Sequence, residues 1–424
     1  MPSPHPRLSV GEARDILSDR CFSPESPCQV GVELEWLTVA RDDRNARVDP
    51  VNLARAVAAA GPLPGGSTVT FEPGGQLEVS SPPFVAVGDA CAVAETDTAV
   101  AQAAAVALGI DLVGLGADPL RPPQRVSDSA RYRAMEAYFD TDGPAGRRMM
   151  ANTASVQVNI GVGPTLDDAT RQWRLAHRLG PTLAAAFANS PLLEGRPTGF
   201  HSARLATWMA LDRSRATPVD CDRPGPEAWA DYVLDARVML IRPAGREAVT
   251  SSDDRFVHLD SPLTFGQWVT EGHELGWPTS DDLDYHLSTL FPPVRPRGWL
   301  ELRMLDALPD PWWQVPVAVT AGLLADPEGG DAADRAATSS DAVGRWVDAA
   351  RTGLGHPALA ASARDCFRAA LASLDRLGAS APLVDMVAAY TERWVDRART
   401  PADDRLDAWA DHGALFPEPA EVGA

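Results

Sequence analysis

The chain has 424 residues, of which 45% are hydrophobic and 23% charged, so it can bury a core for one large domain or two ordinary ones. Its 58 acidic residues outnumber 38 basic ones, and the net charge of −20 disfavours binding to nucleic acids and to anionic membranes. Every basic residue is an arginine. Mechanisms that need a lysine, such as a P-loop or a Schiff base, are therefore excluded.

The cysteines and the start of the chain indicate the compartment. The five cysteines are scattered and have no metal-binding spacing, which is typical of a reducing environment. They are Cys21, Cys28, Cys91, Cys221 and Cys366. The first residues lack the charged-then-apolar pattern of a secretion signal, and no uncharged apolar stretch reaches about 18 residues. We expect a soluble, cytoplasmic monomer or homodimer that binds neither nucleic acid nor a membrane.

In chain order, the sequence predicts a mixed body followed by a helical region. A short helix is expected from about Ser9 to Ser18, and strand-like and helix-like segments alternate up to about Asp306. Beyond Pro309 the pattern is helical, rich in Ala, Arg and Asp, with breaks at 326–330 and 353–357.

The domain organisation follows from this change of character. We interpret residues 1–424 as a single catalytic domain. An α+β active-site body would occupy about 20–309, with a helical region at about 310–424 packed against it. A separately folding C-terminal domain is the alternative.

Four segments share a strand pattern in which apolar and polar residues alternate. They are Val30–Trp36, a hairpin at Thr68–Ser80 that turns at Pro73–Gly75, Ser155–Ile160 and Leu300–Met304. Alternate residues of a strand lie on one face, so each segment has an apolar side for packing and a polar side. The polar sides carry Glu33, Glu35, Glu72, Glu78, Gln157, Asn159, Glu301 and Arg303.

If these segments form one sheet, five carboxylates crowd one face. Such carboxylates repel one another and take up protons unless cations are present. Two or three Mg²⁺ ions, or Mn²⁺, would offset the charge and bridge to a polyphosphate, and oxygen-only ligands disfavour zinc. For one strand alone, the solvated face of a sheet is the commoner explanation. For four strands together, a site is favoured, because a merely wet face usually mixes Lys, Thr and Arg with its acids, whereas here amides and the lone Arg303 accompany a carboxylate cluster.

Four sequence blocks, in this order, resemble the plant-type glutamate–cysteine ligases. The blocks are Gly31–Glu35 (GVELE), Phe71–Glu78 (FEPGGQLE), Met149–Asn159 and Gly298–Arg303. They are most similar to the actinobacterial branch that makes γ-glutamylcysteine for ergothioneine, and the resemblance runs from about Val30 to Pro309. It implies an α+β fold with a glutamine-synthetase-like catalytic core: a curved, mainly antiparallel sheet with helices on its outer face and Mg²⁺–ATP on its concave face.

The resemblance also implies roles for individual residues. The metal ligands would be Glu33, Glu35, Glu72, Glu78, Glu301 and Gln157, the last at a position where another bacterial branch has a histidine. Arg303 would bind the transferring phosphoryl group next to Glu301, and these two are the predicted catalytic residues. Glutamate would be bound by Arg204, Arg131 and Asn159. The blocks assign no residues to a cysteine pocket.

The predicted function is therefore an ATP- and Mg²⁺-dependent ligase that joins L-glutamate to L-cysteine through γ-glutamyl phosphate. A carboxylate–amine ligase of the same fold with another amine acceptor is the nearest alternative. A glycoside hydrolase also uses paired carboxylates, but it leaves Arg303 and the remaining acids unexplained. A non-catalytic metal-binding protein is a third alternative, against which the intact set of polar residues argues.

Overall fold

The structure is a computed structural model, and it describes residues 7–22, 29–241, 257–259, 262–337 and 342–416. Residues 1–6 and Cys28, which entered the expectations on compartment, lie outside the described residues. The four described cysteines are free thiols. Among the described residues, no helix combines the length and apolar character that crossing a membrane requires.

Strands and helices alternate through the first three quarters of the chain, and helices follow. The strands are β1 (Val30–Ala40), β2 (Thr68–Phe71), β3 (Leu77–Ser80), β4 (Ile110–Val113), β5 (Ser155–Gly161), β6 (Leu192–Leu193), β7 (Arg196–Pro197), β8 (Leu240–Ile241), β9 (Val257–His258), β10 (Val294–Pro296) and β11 (Trp299–Asp306). The helices of this part are α1 (Val10–Phe22), α2 (Pro50–Ala59), α3 (Val87–Ala107), α4 (Ala130–Asp140), α5 (Ala145–Asn152), α6 (Leu166–Ala186), α7 (Ala203–Met209), α8 (Arg213–Ala216), α9 (Gly225–Asp235), α10 (Phe265–Glu271) and α11 (Ser280–Leu287). The helices that follow are α12 (Gln314–Leu324), α13 (Pro327–Ala336), α14 (Ala342–Thr352), α15 (Pro357–Ser373), α16 (Ala381–Tyr390) and α17 (Pro401–His412).

The main sheet joins all four predicted strand segments. Its order is β10-β11-β5-β1-β3-β2, with β4 beside the far end of β1, and every neighbouring pair is antiparallel. The two-residue strands β6 to β9 form separate small pairs. The α+β class, with a mainly antiparallel sheet and a helical C-terminal region, is confirmed.

One face of this sheet is the apolar face that the alternation predicts. In β1 the residues Val30, Val32, Leu34 and Trp36 are each at most 2% exposed. Helices α3, α6 and α12 pack against this face at β1, β11 and β5. Burial of several large apolar side chains per strand, at about 1.5–3 kcal/mol each, fixes which face is inside and so leaves the glutamates on the other face.

Two expectations about helix ends are corrected. The first helix extends to Phe22 instead of ending near Ser18. The break predicted at 326–330 is present but shorter and earlier, because α12 ends at Leu324 and α13 begins at Pro327, with only two residues between them. Asp326 caps α13 by accepting from the backbone N–H of Gly329 (2.8 Å), and the proline at 327 occupies the first helical position, where it is well tolerated.

Gly329 is required at that position by packing. A Cβ there would lie 2.0 Å from the carbonyl oxygen of Gly322 on α12, so the two helices cross in close contact. The second predicted break, at 353–357, is confirmed as a 3₁₀ turn at Gly353–Gly355 that precedes α15. The interpretation of the chain as a single domain stays a prediction.

Candidate active site

Three carboxylates converge on the polar face of the sheet. Glu35 on β1 lies directly opposite Glu78 on β3, and Glu72 is in the turn that leads into β3. Each of the three offers an oxygen within 4.8 Å of the others. Glu78 is oriented by hydrogen bonds that its Oε1 accepts from the hydroxyls of Thr70 (2.8 Å) and Ser80 (3.1 Å). The spacing is close to the span of about 4 Å across an octahedral Mg²⁺ with oxygen ligands.

Burial and mutual repulsion raise the pKa values of these carboxylates. Burial, together with Glu35 and Glu78, raises the pKa of Glu72 to about 8. Burial, together with Glu301 and Glu78, raises the pKa of Glu33 to about 7. The pKa values of Glu35 and Glu78 are also raised, with burial as the main cause. Oxygen donors that are buried together and short of cations fit a site for hard divalent metal ions.

The amides of β5 hold the glutamates of β1. Gln157 lies opposite Glu33 in the register, and its Nε2 donates to Glu35 Oε1 (2.9 Å). The backbone N–H of Ser155 donates to the other oxygen of Glu35 (2.8 Å), and Asn159 Nδ2 donates to Glu33 Oε1 (3.0 Å). Partners of this kind orient ligand oxygens and are part of a metal site even when they do not touch the ion.

Glu301 differs from the other four glutamates because arginines compensate its charge. It is 1% exposed and accepts two hydrogen bonds from Arg295 (Nε 2.5 Å, Nη2 3.0 Å) and one from Arg303 Nη1 (2.7 Å). Burial acts to raise its pKa, but Arg295 and Arg303 outweigh burial and hold the value at about 2. Arg295 was missed at the sequence level. A hairpin turn centred on Gly298 would have predicted it, because such a turn places residue 295 opposite residue 301.

Arg303 is the cation at the centre of this face. Its Nη1 also donates to Gln157 Oε1 (2.6 Å), and its buried Nε has no hydrogen-bond partner among the described residues. Burial acts to lower its pKa, but Glu301 and Glu33 raise it, so the guanidinium is charged. An N–H donor without a partner, next to a carboxylate cluster, is available for an anionic ligand.

A cavity of about 270 Å³ lies over the polar face, and every predicted site residue except Asn159 and Arg204 lines it. Apolar and aromatic side chains also line this cavity. Sequence analysis did not place them in the site, although Met149 and Met150 belong to the third sequence block. These side chains are Tyr132, Met135, Met149, Met150, Trp208 and Phe291. A larger cleft of about 540 Å³ lies against other residues of α5 and α7, and an ion pair between Arg148 and Glu194 lines it. Its described lining residues include no converging carboxylates.

The three residues predicted to bind glutamate occupy different positions. Arg131 lines the cavity, donates to the hydroxyl and the carbonyl of Ser288 (both 3.0 Å) and faces the ring of Tyr285. Asn159 does not line the cavity, since its Nδ2 binds Glu33 and its Oδ1 accepts from Trp299 Nε1 (3.1 Å).

Arg204 is 2% exposed and lies directly behind Arg303. Its Nη2 donates to the carbonyl of Arg303 (2.7 Å), and its guanidinium lies 4.6 Å from the centroid of the Trp208 ring. The structure therefore brings Arg204 next to Arg303 instead of into the open cavity.

Proteins similar in sequence to this chain are glutamate–cysteine ligases. Residues 29–420 match the family model described as Glutamate-cysteine ligase family 2. The chain is 42% identical over 387 residues to glutamate–cysteine ligase EgtA of Mycolicibacterium smegmatis, covering 89% of this chain and 86% of that protein. It is 40% identical over 403 residues to glutamate–cysteine ligase EgtA of Mycobacterium tuberculosis, covering 93% and 89%.

Among solved structures, the crystal structure of a bifunctional glutathione synthetase from Pasteurella multocida is similar with a TM-score of 0.55. The identity is 13%, and the similarity covers 96% of this chain and 52% of that chain. The present chain thus corresponds to about half of that protein, and at this identity the similarity concerns the fold alone.

Proposed function

Since the chain belongs to Glutamate-cysteine ligase family 2, we propose that it joins the γ-carboxyl of L-glutamate to the amine of L-cysteine and converts ATP to ADP and phosphate. One observation carries the proposal: the Glu35, Glu72 and Glu78 oxygens lie within 4.8 Å of one another on the sheet face that also carries the charged Arg303. Such a face combines ligands for metal ions with a cation for a transferring phosphoryl group.

Glu33, Glu35, Glu72 and Glu78 would hold two or three Mg²⁺ ions. Bound Mg²⁺ neutralises the polyphosphate and orients its γ-phosphoryl group. Glu301 is ionised and bound by two arginines, so its larger contribution is to hold Arg303 against the face. Mn²⁺ has similar ligand preferences and would serve in place of Mg²⁺.

The reaction needs an activated carboxyl, because an amine does not displace oxide from a carboxylate at useful rates. A γ-carboxylate oxygen of glutamate attacks the γ-phosphorus of ATP, ADP leaves, and γ-glutamyl phosphate forms. Arg303 donates to the phosphoryl oxygens, where negative charge is concentrated during transfer. The cysteine amine then attacks the acyl carbon, phosphate leaves, and the amine proton passes to a neighbouring carboxylate or to solvent.

The amino-acid substrates would be held by arginines and by the apolar wall. Arg204 suits planar recognition of the α-carboxylate of glutamate, and Arg131 lines the cavity over the carboxylate face. We also propose that the enzyme acts in the cytoplasm and that its γ-glutamylcysteine is used for ergothioneine, which the likeness to the EgtA ligases supports.

The test is release of ADP from Mg²⁺–ATP by the purified protein with L-glutamate, with and without L-cysteine and a panel of other amines. We expect cysteine-dependent ADP release and a product with the mass of γ-glutamylcysteine. Glutamate labelled with ¹⁸O in its γ-carboxyl should transfer label to the released phosphate, because the acyl phosphate shares that oxygen. Turnover only with another amine would show that this amine, and not cysteine, is the acceptor. Absence of turnover with every amine would refute the ligase function.

A further inference from the structure

The last strand of the site carries a bulge that changes which face its final residue occupies. Up to Leu302 the strand β11 pairs regularly with β5, but the register shifts between Leu302 and Leu305. After the shift, Asp306 lies opposite Ser155, just as Glu301 lies opposite Asn159. Strict alternation from Glu301 would put residue 306 on the apolar face. The bulge instead puts its carboxylate on the polar side, and re-aiming a side chain is a common use of bulges near active sites.

The carboxylate of Asp306 is buried and accepts three hydrogen bonds. The residue is 1% exposed, and its Oδ2 accepts from the backbone N–H of Asn189 (2.9 Å) and from the hydroxyl of Ser190 (2.7 Å). Its Oδ1 accepts from the hydroxyl of Ser202 (2.9 Å). Ser202 is the N-cap of α7, so Asp306 connects the end of the catalytic strand to the first turn of the helix that carries Arg204.

Asp306 also lies next to Arg204 but accepts no hydrogen bond from it. Arg204 Nη1 lies 3.9 Å from Asp306 Oδ1, which is within ion-pair range but beyond a hydrogen bond. Arg204 Nη2 binds the carbonyl of Arg303 at the bulge (2.7 Å), and the buried Nε has no partner within the described part of the chain. The guanidinium therefore has a buried counter-charge and still keeps N–H groups for a ligand.

The need for that counter-charge follows from burial. A guanidinium that is 2% exposed has lost most of its hydration, which acts against its charge. Burial lowers the pKa of Arg204, and the carboxylate of Asp306 is the largest of the influences that oppose this lowering. Three donors hold the carboxylate of Asp306 in place whether or not a ligand is bound. Burial raises the pKa of Asp306, and Arg204 and these donors oppose that rise.

We propose that Asp306 is a positioning residue for substrate binding: through Ser202 and its charge it holds Arg204 ready for a substrate carboxylate. The inference rests on the proposed function, in which Arg204 binds the α-carboxylate of glutamate. A merely structural Asp306 would affect stability and would alter the KM values for glutamate and ATP alike. A positioning Asp306 affects the KM for glutamate selectively.

The experiment compares Asp306→Asn, which keeps the shape and removes the charge, with Asp97→Asn as a matched control. Asp97 is also fully buried and accepts from the backbone N–H groups of Gly65 (2.6 Å) and Ser67 (2.9 Å), far from the catalytic face. For Asp306→Asn we expect the KM for glutamate to rise about tenfold or more and the KM for ATP to stay within about twofold. For Asp97→Asn both KM values should stay within about twofold of wild type.

Two further measurements keep the outcome decisive. If Asp306→Asn does not fold, Ser190→Ala removes one donor to the carboxylate and should raise the KM for glutamate by about threefold. Equal changes in both KM values, or none in a folded Asp306→Asn protein, would overturn the proposal. If wild type shows no glutamate-dependent turnover, the proposed function fails instead. In that case, crystal structures of wild type and Asp306→Asn test the proposal by the position of Arg204. A guanidinium that has not moved would refute the positioning role of Asp306.

Discussion

Binding of Mg²⁺ to the metal-free protein should release protons, because carboxylates of the site are partly protonated without cations. Burial and neighbouring carboxylates raise the pKa of Glu72 to about 8 and that of Glu33 to about 7. Ionisation of these two groups on metal binding corresponds to about two protons released at pH 6 and about 0.3 at pH 8.5. Glu301 contributes none, since its pKa of about 2 leaves it ionised throughout.

The assay is calorimetric titration with MgCl₂ in pairs of buffers that differ in ionisation enthalpy. The difference in measured heat between two buffers gives the number of protons released. The variant Glu72→Gln should release about one proton fewer at pH 6. Glu136→Gln, which alters a carboxylate paired with Arg125, is the control and should match wild type. A proton count near zero at pH 6, or the same count at both pH values, would refute this account of the site.

Four further outcomes follow from the same contacts. Because folding raises the pKa values of Glu33 and Glu72, the folded protein binds more protons between the unfolded value of 4.5 and their folded values. In EDTA the midpoint of thermal unfolding should therefore fall as the pH rises from 5 to 8.5, and saturating Mg²⁺ should flatten this slope; a rise with pH would contradict it. Arg303→Ala should lower kcat by a factor of about 10²–10³ in the ADP assay. A decrease of less than about tenfold would contradict a role of Arg303 in phosphoryl transfer. Arg131→Ala should raise the KM for an amino-acid substrate about tenfold with the Mg²⁺-induced thermal shift unchanged, and an unchanged KM would remove it from the site. Leu302→Ala, which empties a fully buried position on the apolar face, should cost about 2–5 kcal/mol in urea unfolding. Equal stability of that variant and wild type would contradict the packing described.

The catalytic face could be predicted because strand alternation is a local property. In β1 every second residue is apolar and buried, so the opposite direction of Glu33 and Glu35 follows from seven residues of sequence. The resemblance supplied what alternation cannot, namely that these segments belong to one curved sheet, and the structure shows that β1, β5 and β11 are neighbours in it. Their register then places the predicted carboxylates and amides on one face.

The remaining features depend on long-range or irregular geometry. The bulge between Leu302 and Leu305 has no local signal in a strand of alternating residues, so Asp306 was absent from the predicted site. Part of the apolar wall of the cavity comes from α7, which is distant in sequence from the strands of the main sheet and carries Trp208. At 326–330 two glycines suggested a break. The proline at the start of α13 and the close approach of α12 explain why those glycines are helical.

The most direct test of the carboxylate face is a crystal structure of the protein soaked with Mn²⁺ and a non-hydrolysable ATP analogue, with anomalous scattering used to locate manganese. The account predicts manganese about 2.1–2.3 Å from oxygens of Glu35, Glu72 and Glu78, with the triphosphate on the side of Arg303. Manganese bound away from these glutamates, or a nucleotide bound without contact to this face, would contradict it.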